Sequence, residues 1–214
     1  MLCGFAINPC GTAWGQDQFP IRLVDVTGRT GIDFLHTDGS SGERYIVETL
    51  ASGMAAFDYD NDGDTDLYFL NGMRNGSAYG QPFYHESIVS QRWGGRFTDV
   101  TEYAGVGDPG FGLGVAVADY DNDGYQDLYV SNFGVNVLYR NRGDGTFANA
   151  SDEAAVAGGE TVGAGVCFLD IEGDGDLDVY VANYVRFQFD QHRSLTVDGF
   201  PNTVGLRTLR PSRT

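Results

Sequence analysis

With 214 residues, 42% of them apolar, the chain is long enough for one globular domain or a piece of a larger one. Its 30 acidic residues against 13 basic ones give a formal charge of −17, the opposite of the basic footprint expected for nucleic-acid binding. No stretch approaches the ~20 apolar residues of a spanning helix, and 31 glycines with 12 tyrosines and 14 phenylalanines suit short strands joined by tight turns.

In chain order, residues 1–18 are apolar and small but lack a basic start. They read as the remnant of a secretion signal, with an ordinary N-terminal segment as the alternative. Cys3 and Cys10 could pair in an oxidising compartment. Cys167 lies in the apolar run "GVCFLD" and is expected to pack as a small hydrophobe. Next, "VDVTGRTGI" (Val24 to Ile32) matches "FTDVTEYAGV" (Phe97 to Val106), so Arg22–Thr27 is expected to be a strand, the fourth of a unit whose first three are missing.

The stretch "DYDNDGDTD", Asp58 to Asp66, then sets five carboxylates within nine residues, between "GMAAF" and "LYFL". It recurs as "DYDNDGYQD" (Asp119 to Asp127) and "DIEGDGDLD" (Asp170 to Asp178). Each copy is preceded, five residues earlier, by Gly53, Gly114 or Gly165, and followed thirteen residues after its first acid by Asn71, Asn132 or Asn183. The copies start 61 and 51 residues apart, and each lies between two strand-like runs. "NVLYRNRGDGTF" adds a third strand, a turn and a fourth. In the middle copy the four strands fall near Leu113–Asp119, Asp127–Asn132, Asn136–Asn141 and Thr146–Ala150. Four short antiparallel strands at this period predict an all-β fold: a partial β-propeller of about three blades, with each acid loop between first and second strands. Residues 19–202 make this segment; 203–214, with three arginines and no acid, read as an irregular tail from truncation or a frameshift.

Like charges this close repel unless a cation sits among them. Counting from the first acid, positions 1, 3 and 5 are Asp58, Asp60 and Asp62; Asp119, Asp121 and Asp123; Asp170, Glu172 and Asp174. Position 6 is Gly63, Gly124 or Gly175, which turns the chain so that position 9 (Asp66, Asp127, Asp178) comes back to the same centre. Position 7 (Asp64, Tyr125, Asp176) would ligate through its backbone carbonyl, which explains its varied side chain. An all-oxygen set of this size suits Ca²⁺ better than Mg²⁺. An EF-hand needs an acid at position 12, where this chain has Phe69, Val130 and Val181. Solvated turns without a metal are the plain alternative; three copies in register argue against it. Loop three is expected to bind weakest, because Glu172 is one methylene longer and Gly173 replaces Asn61 and Asn122.

The loops and their flanks resemble FG-GAP/VCBS repeats, the Ca²⁺-binding blades of integrin α-chain propellers. The fuller phrasing is similar to bacterial secreted proteins of the cartilage-acidic-protein, ASPIC-type group. That resemblance implies a seven-bladed or similar propeller, a secreted, periplasmic or cell-surface location, and binding or adhesion to an extracellular protein or polysaccharide, alongside the remaining blades of a larger propeller. An alternative is part of a propeller-scaffold polysaccharide lyase or hydrolase, with Tyr45, His36 and Arg44 as the residues to test. A purely structural repeat segment is a third. His85 and His192 fall in no motif, and no nucleophile elbow, P-loop or dinucleotide fingerprint is present.

Overall fold

A computed structural model describes residues 23–43, 45–50, 52–72, 86–92, 94–159, 161–191, 194–197 and 200–203. Residues 1–18, Cys3, Cys10, Arg44, His85, His192 and the tail beyond 203 lie outside them.

Two complete blades follow the expected plan. Blade one has β1 (Met54–Phe57), β2 (Asp66–Phe69), β3 (Ser87–Arg92) and β4 (Arg96–Asp99), paired in that order and antiparallel throughout. Blade two repeats it with β5 (Phe111–Ala118), β6 (Asp127–Phe133), β7 (Val137–Asn141) and β8 (Phe147–Asn149). In both, the acid loop joins first and second strands. Blade three has β9 (Val162–Leu169) and β10 (Asp178–Val185); the later hairpin of β11 (Ser194–Val197) and β12 (Phe200–Thr203) pairs only with itself.

One strand expectation fails. Residues 23–26 belong to no strand, and a short helix α1 (Thr27–Thr30) begins where Arg22–Thr27 was to end. A fourth strand exists only by pairing with a third, and among the described residues none lies beside this segment. The sequence match instead encodes the turn of helix after a blade. The Thr27 and Thr101 N–H groups donate to Asp25 and Asp99, each at 2.9 Å. Both α1 and its counterpart α2 (Thr101–Ala104) end on a left-handed glycine, Gly31 and Gly105.

Blade packs on blade because alternate residues of a strand face opposite ways. From β6, Leu128 and Val130 join a core with Phe57, Tyr68 and Ile88 of blade one. Tyr129, between them, packs against Val166, Phe168, Val179 and Val181 of blade three. The Tyr68 hydroxyl donates to the Val106 carbonyl at 3.0 Å, and its repeat mate Tyr129 to the Val156 carbonyl at 2.7 Å. Glu86 is fully buried beside Tyr68, sharing a 2.5 Å hydrogen bond with it. Burial pushes the Glu86 carboxyl well above the usual range.

The same repeat positions on blade three are uncovered. Tyr180, the counterpart of Tyr68 (0% exposed) and Tyr129 (1%), is 61% exposed. Cys167 is exposed too, contrary to its expected packing. It lies with Gly165 and Leu169 on the face of β9 turned away from blade two, which no further blade covers among the described residues.

The repeated glycine of the first strand has its reason here. A Cβ on Gly114 would stand 2.4 Å from the Ala164 carbonyl oxygen, and one on Gly53 3.6 Å from that of Leu113. At Gly114 the inner strands of blades two and three approach too closely for a side chain, whereas at Gly53 a Cβ would make ordinary contacts. Gly165, with no blade beyond it, has nothing within 4 Å. Gly114→Ala is therefore expected to cost about 1–3 kcal/mol of stability, and Gly165→Ala to fall within about 0.5 kcal/mol of the parent. Urea unfolding of the two variants checks this; equal losses would contradict the close-approach explanation.

Candidate metal centre

Each loop is wound around its first aspartate. Asp58 accepts hydrogen bonds from the Asp62 N–H at 3.1 Å and the Gly63 N–H at 2.9 Å. Asp119 does the same for Asp123 and Gly124, and Asp170 for Asp174 and Gly175. The position-5 carboxylates Asp62, Asp123 and Asp174 take the N–H of position 7, that is Asp64, Tyr125 and Asp176. The glycines at position 6 have φ of 90°, 91° and 95°, as the sharp turn requires.

Position 4 carries a backbone constraint of its own. Asn61 and Asn122 sit at φ 57° and 59°, and Gly173 at 74°. The left-handed conformation is common to all three loops, so the glycine relieves strain there as well as adding freedom.

The ninth-position aspartates distinguish the loops. Asp66 and Asp127 are fully buried. One oxygen of Asp66 accepts from the Tyr59 N–H at 3.0 Å, the other from the Gln91 N–H of β3 at 2.7 Å. Asp127 is held alike by Tyr120 at 3.0 Å and by Asn141 of β7 at 2.8 Å. Burial raises both carboxyls from 3.8 to about 6, against the pull of those hydrogen bonds. Asp178 keeps only the first kind of bond, from the Ile171 N–H at 3.1 Å, and is half-buried. The third strand, which supplies the second donor in blades one and two, does not flank β10 among the described residues.

The consequence is a difference in convergence. Oxygens of Asp58, Asp60 and Asp66 lie within 4.8 Å of one another, as do those of Asp119, Asp121 and Asp127, and each group could hold a metal ion. Asp60 Oδ1 is buried and has no hydrogen-bond partner, and burial, then Asp62, raise its carboxyl. A buried carboxylate oxygen without a donor fits a cation. In loop three, Asp170, Glu172 and Asp178 form no such group among the described residues, and the Asp170 carboxyl is lowered, first by the Gly175 N–H. The third-strand donors Gln91 and Asn141 were missed from sequence, because the N–H of any residue can serve and only register selects it.

Of the residues considered for a lyase, Arg44 lies outside the described residues. The Tyr45 ring packs edge-on against Phe189 and Phe187, at 4.8 and 5.7 Å, and His36 is exposed.

Four-stranded antiparallel blades, stacked face to face with an acid loop between first and second strands, define a partial β-propeller of repeat type. The chain belongs to the FG-GAP-like repeat family, which it matches over residues 58–130 and 119–181. It is 37% identical over 87 residues to cartilage acidic protein 1 of Homo sapiens, covering 40% of this chain and 13% of that protein. It is 33% identical over 87 residues to the Mus musculus protein of that name, covering 40% and 14%. With the Xenopus tropicalis protein it shares 34% over 74 residues, covering 34% and 11%. The matched stretch is thus a small part of each relative.

A pH prediction follows from the two buried acids. Their folded-state values lie above 3.8, so their contribution to stability is full below pH 3.8 and is lost as pH rises through about 6. In chelator, the urea midpoint is expected to fall between pH 4 and pH 6.5. A midpoint that rises across this window would show that these carboxyls are not held protonated.

Proposed function

We propose that the chain is a calcium-binding repeat module of an extracellular β-propeller that recognises a protein or polysaccharide. The observation that carries this reading is the convergence of three carboxylates in each of two loops, with the partnerless Asp60 Oδ1 buried among them. All the donors are oxygens, as a hard cation requires, and Ca²⁺ tolerates the larger, irregular coordination such a loop would give. In loop one, Asp58, Asp60, Asp62 and Asp66 would supply carboxylates, and Asp64 its carbonyl. In loop two, Asp119, Asp121, Asp123, Asp127 and the carbonyl of Tyr125 would do so, and in loop three Asp170, Glu172, Asp174, Asp178 and that of Asp176. An ion there would cancel the mutual repulsion of the acids and pin first strand to second.

Secretion or a periplasmic or cell-surface location fits a calcium-rich surrounding and the similarity to cartilage acidic protein 1. Among the described residues no helix is long and apolar enough to cross a membrane. The uncovered face of blade three, with Tyr180 and Tyr184 exposed, suits a further blade of a larger propeller.

Calcium is expected to raise the melting temperature of the chelator-treated chain. Saturation at about 100 times the dissociation constant stabilises by roughly 2.7 kcal/mol per site. Asp60→Asn and Asp121→Asn should each remove one site from a calorimetric titration. An unchanged melting temperature with no heat of Ca²⁺ binding would sink the reading.

Loop three is expected to bind weakest, since among the described residues Asp178 has one backbone anchor where Asp66 and Asp127 have two. In the chain carrying both Asp60→Asn and Asp121→Asn, the remaining affinity should be lower than that of loop one or two. Equal affinity would reject the anchoring argument.

A further inference from the structure

We propose that the acid loops of blades one and two bind Ca²⁺ cooperatively, coupled through Asn141. This rests on the calcium reading above and adds to it a link between sites.

Asn141 lies in β7 and is 1% exposed. Its backbone N–H holds Asp127, the ninth residue of its own blade's loop, at 2.8 Å. Its side-chain amide crosses the blade junction and donates to the Tyr59 carbonyl at 2.8 Å. Tyr59 is position 2 of loop one, and its N–H holds Asp66 at 3.0 Å. One residue therefore ties together the two buried aspartates, one from each metal group. The amide also donates to the Gln126 carbonyl at 3.1 Å, next to Asp127 in the chain. A second contact runs parallel at the rim, where Asn61 of loop one donates to the Gly124 carbonyl of loop two at 3.3 Å. The peptide that carries this carbonyl offers its N–H, that of Tyr125, to Asp123 at 2.9 Å.

A cation fixes the carboxylates it ligates, and here fixing Asp66 also orders Tyr59. Its carbonyl then stands ready for the Asn141 amide, and the Asn141 backbone for Asp127. The second ion meets a loop already partly ordered, so less freedom is lost when it binds. Coupling of this kind must be reciprocal.

The test uses the full chain and Ca²⁺ alone, with the amide resonances of Gly63 and Gly124 reporting loops one and two separately. Those N–H groups cap Asp58 and Asp119 within each loop. Disabling loop two with Asp121→Asn is expected to weaken Ca²⁺ at loop one by roughly two- to fivefold, the scale of a single net hydrogen bond. Disabling loop one with Asp60→Asn should weaken loop two by the same factor. In Asn141→Ala, which keeps the backbone N–H on Asp127, both cross-effects should shrink towards onefold. Should that variant not fold, Asn141→Ser serves, since a single hydroxyl proton cannot span both the Tyr59 and Gln126 carbonyls. Uptake at both loops with no cross-effect, or a cross-effect undiminished in the Asn141 variant, overturns the coupling while leaving the calcium reading intact. No uptake at either loop of the parent chain overturns both.

Discussion

Burying a carboxylate is costly unless donors or a cation meet its oxygens, and in this protein the donors for Asp66 and Asp127 come from the backbone of the third strand as well as from the loop. That requirement makes the acid loop part of the blade. The loop cannot set its ninth residue until the sheet has brought Gln91 or Asn141 alongside. In turn the sheet carries a charge-bearing group at its edge whose cost falls when a proton or a cation shares it.

Blade three shows the loop where, among the described residues, no third strand flanks the second. The nine-residue pattern is intact in sequence, and its first aspartate is capped as in the other loops. Yet Asp178 is half-exposed, and the carboxylates do not converge. Tyr180 and Cys167 are likewise exposed, where in blade two Tyr129 is buried against the next blade and Ala116 is half-buried. A repeat of this kind cannot bury both faces alone; its neighbours complete it.

The junction between blades joins packing to function. Gly114 permits close approach of inner strands, Tyr68 and Tyr129 stitch each second strand to the segment linking the blades, and Asn141 reaches from one blade into the loop of the other. The tyrosine contact repeats with the period of the sequence, as Tyr68 and Tyr129 hold equivalent places in successive blades. The same geometry that closes the hydrophobic core sets the spacing of the acid loops.

Much of this was legible in the chain itself. Three acid loops in register with Gly53, Gly114 and Gly165 gave blade number, strand order and the place of the loops, because local turn chemistry and alternation of apolar residues act over a few neighbours. The middle blade's four strands lie within a few residues of where the pattern put them. Pairing across distance was not legible. Whether Arg22–Thr27 becomes a strand depends on a partner the local pattern cannot supply, and whether Cys167 is buried depends on a blade that must lie over it. The backbone donors Gln91 and Asn141 were invisible for the same reason: an N–H has no side-chain signature, and only the register of β3 and β7 against β2 and β6 selects it. Sequence alone determined which residues carry the charge and where the chain turns. Tertiary structure decided which of those charges are buried, held and brought together, because burial and convergence are properties of neighbours that are distant in the chain.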